Sequence, residues 1–243
     1  MRLTRIYQNR PLSPGQRHTL DERASGYLTR VLRLKINDAL IVFNGAGQEH
    51  DARLVKSAQG DWQILVEDAK PICPDSPLCI TLVQGISRGE RMDYAIQKAT
   101  ELGVAEIQPI ACERSVVRLD SDLAKRRLEH WQAVAVSASE QCQRHSVPTV
   151  QPILSFADFL NTPSPRARVM LLPTSPSSLK SLTATDHGVE LMIGPEGGFS
   201  DTEEQLALGR GAQGYRLGPR VLRTETAAAA AISVLQLMKG DLA

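Results

Sequence analysis

Two glycine-rich segments near the C-terminus concentrate the side chains that could do chemistry. Residues 194–199 read GPEGGF and follow an apolar run at 189–193, and residues 217–226 read LGPRVLRTET after a second short run. If both runs are parallel strands of one sheet, both segments leave its carboxyl edge, where α/β proteins bind ligands. Glycine-rich turns let backbone groups approach a flat polar ligand such as adenine. Tight turning alone explains the glycines but not the crowded carboxylates and arginines, so the segments predict a site.

The C-terminal part of the chain must position these segments, and its apolar pattern predicts an α/β domain. The expected elements are strands at 78–83 and 104–111 around a helix at 90–102, a helix at 122–142, strands at 168–172, 189–193 and 215–217, and a helix at 224–238. The first three elements form a parallel crossover unit. The last helix is apolar nearly all round, which is typical of burial in a domain or at a subunit interface.

The N-terminal seventy residues predict a separate small domain. Short β-like runs divided by turn signals indicate a β-barrel or β-sheet. The expected elements are strands at 3–7, 39–43, 51–56 and 61–67 and one helix at 19–34. Three prolines within 71–77 then disfavour both helix and central strand. Domains are therefore expected at 1–70 and 78–243, with a linker at 71–77.

Basic residues are concentrated at the N-terminus. The whole chain has 28 Lys and Arg against 27 Asp and Glu, a net charge of +1 that does not favour a nucleic-acid partner. Residues 1–36, however, hold eight basic and two acidic groups, a balance of +6, so the other 207 residues balance at −5. A polyanion-binding face would give this asymmetry, although arginines scattered over a solvated surface would give it equally.

Two further motifs match enzyme signatures. Residues 85–89 read GISRG, the GxSxG turn of serine hydrolases, with Ser87 as the candidate nucleophile. Ser87 and Glu90 also have the spacing of a helix capping box, and for Ser87 this interpretation is favoured over the nucleophile. Ser200 and Glu203 have the same spacing and predict a second capping box. Residues 209–214 match the dinucleotide motif GxGxxG, but they follow a helical stretch and precede a strand, so a flexible loop is preferred.

Several segments together resemble the RsmE family of the SPOUT class of RNA methyltransferases. The two glycine-rich segments resemble the signature pair of that family, and the resemblance covers nearly the full chain. Further matching segments are 5–7 (RIY), 30–33 (RVLR), 87–92 (SRGERM), 97–104 (QKATELGV) and 140–144 (EQCQR). The resemblance implies a PUA-like β-barrel domain for RNA, followed by a SPOUT α/β domain with a deep C-terminal trefoil knot. That domain is expected to bind S-adenosylmethionine (SAM) and to form a homodimer.

The resemblance also implies a reaction, the N3-methylation of a uridine (U1498) in 16S rRNA of the small ribosomal subunit. The implied cofactor residues are Leu172, Gly194, Pro195, Glu196, Gly197, Gly198, Leu217, Gly218, Leu222, Arg223, Thr224 and Thr226. Because N3 must lose its proton before it attacks a methyl group, a cation and a proton acceptor are needed. Arg223 is the candidate cation, and Glu225 or else Glu196 is the candidate acceptor. Alternatively, Arg223 contacts a phosphate, and Glu225 only caps the last helix, where a negative charge interacts favourably with the helix dipole.

Arginines are the expected RNA contacts. Only 4% of the residues are aromatic, so recognition of phosphates and shape is favoured over base stacking. The candidates are Arg2, Arg5, Arg10, Arg30, Arg33, Arg88, Arg91 and Arg144.

Metal-dependent and membrane-bound functions are disfavoured by motifs that the sequence lacks. Scattered cysteines and histidines predict no metal site. A chain without a signal peptide or a membrane-spanning run is expected to be cytoplasmic, with no membrane partner. Two alternatives stay open: a serine hydrolase acting through Ser87, and a SPOUT-like RNA-binding protein without catalysis.

Overall fold

The computed structural model describes residues 3–72, 74–115, 121–183 and 186–242. The chain divides into two units. The first combines Met1–Asp75 with Ser139–Ser146, and the second combines Ser76–Ala138 with Val147–Ala243. The division falls within the proline-rich stretch. The return of 139–146 to the first unit is a feature that the sequence pattern does not predict.

The first unit is built on a five-stranded mixed sheet in the order β1-β3-β4-β5-β2. Its strands are β1 (Thr4–Tyr7), β2 (Arg17–Thr19), β3 (Ala39–Phe43), β4 (Glu49–Lys56) and β5 (Trp62–Ala69). β1 runs parallel to β3, and the other pairs are antiparallel. Ile6 and Leu40 of the sheet share one core with Leu28 of the helical segment. The predicted N-terminal β-domain is confirmed.

A short helix, α1 (Glu22–Gly26), and a π-helical turn (Tyr27–Val31) stand where the sequence predicts one helix over 19–34. The helix begins at Glu22 because the Asp21 carboxylate accepts a hydrogen bond from a first-turn N–H at 2.6 Å. The helical segment ends before Arg33, whose φ of +56° lies in the left-handed region. The predicted helix is therefore too long at both ends.

The second unit contains a parallel sheet in the order β12-β10-β11-β6-β7-β8, with β9 also beside β7. Its strands are β6 (Ile80–Gly85), β7 (Glu106–Ala111), β8 (Thr149–Val150), β9 (Leu154–Ser155), β10 (Ala167–Leu171), β11 (Val189–Ile193) and β12 (Gln213–Tyr215). Its helices are α2 (Glu90–Glu101), α3 (Ser121–Cys142), α4 (Phe156–Asn161), α5 (Asp201–Gly209) and α6 (Thr224–Lys239). The C-terminal residues of α3 belong to the first unit. The predicted crossover of β6, α2 and β7 and the parallel α/β domain are confirmed.

The central strands β6 and β11 are buried along their whole length, as expected for a parallel sheet covered on both faces. α6 packs against α2 and buries Ala228, Ala231, Ile232 and Leu235. The helix also has an exposed apolar side chain, because Leu237 is 61% exposed. Within the described residues, none of the helices has the length and hydropathy needed to cross a membrane. The trefoil knot stays a prediction.

Candidate active site

Three neighbouring strands end at one cavity. β12, β10 and β11 lie side by side and run parallel, so their carboxyl ends meet at the same edge of the sheet. The cavity measures about 390 Å³, which lies in the range of about 300–1,000 Å³ that is typical of small-molecule sites. The loops at the ends of these strands line it. The lining residues are 171–173 from the end of β10, 193–196, 198 and 199 from the end of β11, 217, 218, 220–225 and 227 beyond β12, and also Arg91, Arg114 and Glu204.

Most of the predicted cofactor residues meet at this cavity. Those that line it are Leu172, Gly194, Pro195, Glu196, Gly198, Leu217, Gly218, Leu222, Arg223 and Thr224. Gly197 and Thr226 are not among the described lining residues. Thr226 is exposed on α6, and Gly197 packs against Arg114, since a Cβ on Gly197 would lie 3.0 Å from the Arg114 Cβ. Both candidate catalytic residues, Arg223 and Glu225, line the cavity.

The loop at 194–199 lies directly on the end of β6. A Cβ placed on Gly85 would lie 2.5 Å from the Pro195 nitrogen, so only glycine fits there without movement of the loop. Within the loop, the Gly198 N–H donates to the Pro195 carbonyl at 2.9 Å. Gly198 has a φ of +69°, a conformation that suits glycine in a tight turn. Close packing and this turn fix the backbone at the cavity wall.

Glu196 ties the same loop to the start of α2. Its Oε1 accepts hydrogen bonds from the Arg88 backbone N–H at 2.9 Å and from Arg91 Nη1 at 2.8 Å. Burial alone would raise the pKa of Glu196, but the N–H groups of Arg88 and Glu196 and the Arg91 guanidinium hold that pKa below its ordinary value of 4.5. Glu196 is therefore a stabilised carboxylate and a weak proton acceptor, which disfavours it as the catalytic base.

Arg114 holds the other side of the loop. Its Nη1 donates to the Phe199 carbonyl at 2.7 Å and to the Gly197 carbonyl at 3.3 Å, and its Nη2 lies 3.7 Å from Asp201 Oδ1. Arg114 follows β7, and the sheet order β11-β6-β7 brings this segment towards the loop after β11. Sequence reasoning misses Arg114 because its contacts depend on that order and no motif surrounds it.

Thr224 links the two glycine-rich segments. Its buried hydroxyl donates to the Gly194 carbonyl at 2.7 Å and accepts a hydrogen bond from Gln84 Nε2 at 2.9 Å. Gln84 lies in β6 and is itself buried. A chain of hydrogen bonds therefore joins β6, the loop after β11 and the first residue of α6. The sequence motif indicates Thr224, whereas a single amide inside an apolar strand gives no signal for Gln84.

A cation and a carboxylate stand at the start of α6. Arg223 is the N-cap residue, and its exposed side chain makes no capping hydrogen bond. Glu225 lies in the first turn, where the helix dipole favours a negative charge. Its Oε2 is buried and has no hydrogen-bond partner among the described residues. Because a buried polar atom without a partner costs free energy, this oxygen is available to a ligand or a proton.

The predicted RNA arginines differ in exposure. Those with exposed side chains are Arg10, Arg30, Arg33, Arg88 and Arg91. Arg91 is also paired with Glu196 at 2.8 Å. Arg2 lies outside the described residues.

Arg5 and Arg144 correct the predicted RNA surface. Arg5 is 5% exposed, pairs with Glu49 at 2.9 Å and donates to the carbonyls of Ser139 and Arg144 at 3.1 Å. The largely buried Arg144 side chain donates to Asp75 at 3.3 Å. Both arginines thus hold 139–146 within the first unit. The buried, paired Arg5 cannot meet an RNA phosphate, and the Arg144 guanidinium is engaged by Asp75. The N-terminal charge excess therefore overstates the exposed positive surface.

Ser87 does not form a nucleophile elbow. Ser87 is 1% exposed and its hydroxyl donates to the Gly85 carbonyl at 3.2 Å, so the hydroxyl is shielded from any substrate. The capping box predicted for Ser87 and Glu90 is also wrong, because Gly89, with a φ of +54°, directly precedes α2 and no side chain caps it. The second predicted box, between Ser200 and Glu203, is confirmed.

Comparison with known proteins places these features in a family. A family model described as the RNA methyltransferase domain matches residues 74–236, and one described as the RNA methyltransferase PUA domain matches residues 20–60. The protein named ribosomal RNA small subunit methyltransferase E from Buchnera aphidicola subsp. Acyrthosiphon pisum is 34% identical over 99% of this chain and 95% of its own length.

Two solved structures resemble the whole chain. Ribosomal RNA small subunit methyltransferase E from Neisseria gonorrhoeae, bound to S-adenosyl methionine, has a TM-score of 0.90 at 37% identity, with 100% of both chains covered. A protein from Legionella pneumophila, solved with bound SAM, has a TM-score of 0.95 at 37% identity, again with 100% of both chains covered. Together with the mixed sheet and the parallel sheet described above, these matches show that the chain belongs to the family of RNA methyltransferases named ribosomal RNA small subunit methyltransferase E.

Proposed function

We propose that this protein transfers the methyl group of SAM to N3 of a uridine in 16S rRNA, the nucleotide U1498. The observation that carries the proposal is the cavity at the ends of β10, β11 and β12. The two glycine-rich segments converge there with Leu172, and Arg223 and Glu225 border the same space. Membership of an rRNA methyltransferase family supports the reaction class, and the resemblance to the RsmE family supplies the choice of N3 and of U1498.

The chemistry of the cavity wall fits SAM. The apolar side chains of Leu172, Leu217 and Leu222 suit the flat faces of a purine. Gly194 and Gly218 expose backbone groups without a side chain in the way, and the φ of +73° at Gly218 is one that glycine adopts freely. The remaining proposed contacts are Pro195, Glu196, Gly198, Arg223 and Thr224, with Gly197 supporting the loop from behind.

The protein's part in the reaction is to align the uridine and to manage one proton. When bound, SAM supplies a methyl group on a positively charged sulfur. We assign Glu225 as the acceptor of the N3 proton, because this residue lines the cavity and its carboxylate has an oxygen, Oε2, without a hydrogen-bond partner among the described residues. Arg223 would stabilise the negative charge that develops on the uracil.

Two variants separate the candidate acceptors. Glu225→Gln is expected to lower kcat by about 100-fold, the usual scale of a lost general base, with SAM affinity largely retained. Glu196→Gln is expected to weaken SAM binding while kcat at saturating SAM stays within about threefold, because Glu196 anchors the loop. The opposite pattern would reverse the assignment.

Arg223 has its own test. Arg223→Ala is expected to lower kcat by about 100-fold, the usual scale for loss of one charge-stabilising donor. SAM and RNA binding are measured in parallel. Wild-type methylation by Arg223→Ala with both ligands bound normally would contradict the electrostatic role.

The RNA is proposed to meet the exposed arginines. Arg10, Arg30 and Arg33 lie in the first unit, whose proposed extent is 1–70, with a linker at 71–77 and the catalytic domain at 78–243. Arg91 lies in the first turn of α2 and Arg88 just before that helix, both in the second unit. Contacts of this kind are electrostatic, so we expect RNA affinity to fall steeply as salt rises. A flat salt dependence would contradict these arginine contacts.

The function as a whole is tested by transfer of labelled methyl from SAM. The protein is incubated with unmethylated small ribosomal subunits and, separately, with free 16S rRNA. We expect label to enter the rRNA of the assembled subunits and expect much less in free rRNA. SAM binding without transfer to either substrate would instead support the RNA-binding protein without catalysis.

We also propose that the protein is a cytoplasmic homodimer. The exposed Leu237 on α6 and the exposed Tyr94 on the neighbouring helix α2 present apolar surface that a second subunit could cover. Sedimentation equilibrium tests this directly. A monomer at micromolar concentration would contradict the dimer.

A further inference from the structure

We infer that Arg114 is a positioning residue of the SAM site: its guanidinium holds two carbonyls of the loop at 194–199 and thereby sets the affinity for SAM. The inference rests on the proposed function, because it assumes that this loop contacts SAM. The sequence segments that resemble the RsmE family do not include Arg114.

The contacts show a residue that is directed at the loop backbone. Arg114 Nη1 reaches the carbonyls of both Phe199, at 2.7 Å, and Gly197, at 3.3 Å. Hydrogen bonds from a guanidinium are charge-assisted and stronger than those between neutral groups. The loop also packs against the base of this side chain, because a Cβ on Gly197 would lie 3.0 Å from the Arg114 Cβ. Arg114 therefore determines both the direction of two carbonyls and the position of the backbone between them.

The loop is held from two sides. On the side of α2, Glu196 accepts hydrogen bonds from Arg88 and Arg91. On the side of β7, Arg114 supplies the anchor. The segment between the anchors contains Gly197 and Gly198, which have much conformational freedom when they are released. Loss of Arg114 would release the carbonyls of Gly197 and Phe199, although Glu196 and the Thr224 hydroxyl would still hold the start of the loop. SAM would then have to order the released part as it binds, and its affinity would fall.

Arg114 also lines the cavity, and its side chain is 49% exposed, so a second role has to be separated from the first. A cation at this place could attract an RNA phosphate or the SAM carboxylate through charge alone. Lysine would preserve such an attraction, but its ammonium lacks the planar fork of arginine. The positioning role therefore predicts that lysine fails to replace arginine, and the charge role predicts that it succeeds.

The experiment compares wild-type protein with Arg114→Ala, Arg114→Lys and the control Arg126→Ala, which removes an exposed arginine of α3. SAM affinity is measured by calorimetry, and KM for SAM, kcat and the melting temperature are measured alongside. Both Arg114 variants are expected to raise Kd and KM for SAM by about tenfold, as loss of a hydrogen bond to a charged group would. Because the chemical groups at the reaction centre do not change, kcat at saturating SAM should stay near wild type in both Arg114 variants. The lost hydrogen bonds should lower the melting temperature by no more than about 4 °C, and every parameter of Arg126→Ala should stay near wild type.

Each outcome decides the inference. Wild-type SAM affinity in Arg114→Lys would overturn positioning in favour of charge, and SAM affinity within twofold of wild type in Arg114→Ala would overturn any role in SAM binding. A loss of kcat with unchanged KM for SAM would also overturn it. Failure of the wild-type protein to bind SAM would overturn the proposed function together with this inference, whereas equal binding by wild type and Arg114→Ala overturns this inference alone.

Discussion

The contact between the end of β6 and the loop at 194–199 makes Gly85→Ala an informative perturbation. An added Cβ would lie 2.5 Å from the Pro195 nitrogen, 2.6 Å from Pro195 Cδ and 2.9 Å from the Gly194 carbonyl carbon. Ordinary contacts of a Cβ begin at 3.4 Å, so the loop has to retreat by about 1 Å. All three atoms belong to the backbone or to a proline ring, so no flexible side chain can move aside.

The magnitude of the effect follows from that distance. Forcing an extra methyl group into a packed site costs about 1–3 kcal/mol of unfolding free energy, which lowers the melting temperature by about 5 °C in a chain of this size. A displacement of about 1 Å in a binding loop can cost up to about 100-fold in function. We therefore expect Kd for SAM to rise by at least about tenfold in Gly85→Ala.

Calorimetric titration with SAM and a thermal melt measure both effects. Gly209→Ala is the matched control, because a Cβ on Gly209 at the end of α5 meets nothing within 4 Å. Alanine is the better helix former, so this control should bind SAM normally and gain up to about 1 kcal/mol of stability. Wild-type SAM affinity and melting temperature in Gly85→Ala would refute the reasoning that close packing holds this loop in place.

Three further predictions concern charged side chains. Folding favours the Glu196 carboxylate, so its contribution to stability is present above its ordinary pKa of 4.5 and is lost as the pH falls below that value. Glu196→Gln should therefore cost about 1 kcal/mol of unfolding free energy at pH 7 and progressively less in acid. A cost in urea unfolding that does not change with pH would contradict this. Arg5→Ala breaks a buried ion pair and should cost about 3–5 kcal/mol of unfolding free energy. Arg53→Ala breaks an exposed ion pair and should cost less than about 1 kcal/mol. Equal melting temperatures of the two variants would contradict the assignment of Arg5 as structural. Replacing Arg30 and Arg33 together by alanine should reduce the slope of log RNA affinity against log salt by about 1.5–2 without lowering the melting temperature, and an unchanged slope would remove both residues from the RNA surface.

The loops that form the cavity could be predicted from the sequence, whereas contacts that depend on the order of the strands could not. The two apolar runs followed by glycine-rich segments, β11 and β12, end at the same sheet edge as predicted, and β10 lies between them and ends there as well. Leu217 lies in the loop because β12 ends at Tyr215, two residues earlier than predicted. Long periodic elements such as α2 and α6 are located within one residue at each end. The fold class follows from these features.

Contacts between distant parts of the chain could not be predicted. Arg114, just after β7, meets the loop at 194–199, and Gln84, in β6, meets Thr224. Both contacts exist because the strands lie in the order β11-β6-β7, which local periodicity does not reveal. Arg5 looks like any basic N-terminal residue in the sequence, yet it is buried against Glu49, which is 44 positions away. Two-residue strands such as β8 and β9 are too short to show a period.

The identity of the modified nucleoside tests the central claim most directly. Unmethylated small ribosomal subunits are incubated with the protein and SAM, the 16S rRNA is digested, and the nucleosides and the fragment that contains U1498 are analysed by mass spectrometry. The proposed function predicts N3-methyluridine at U1498, absent when SAM or the protein is omitted. A methyl group on another atom, a methyl group at another nucleotide, or unmodified rRNA would contradict it.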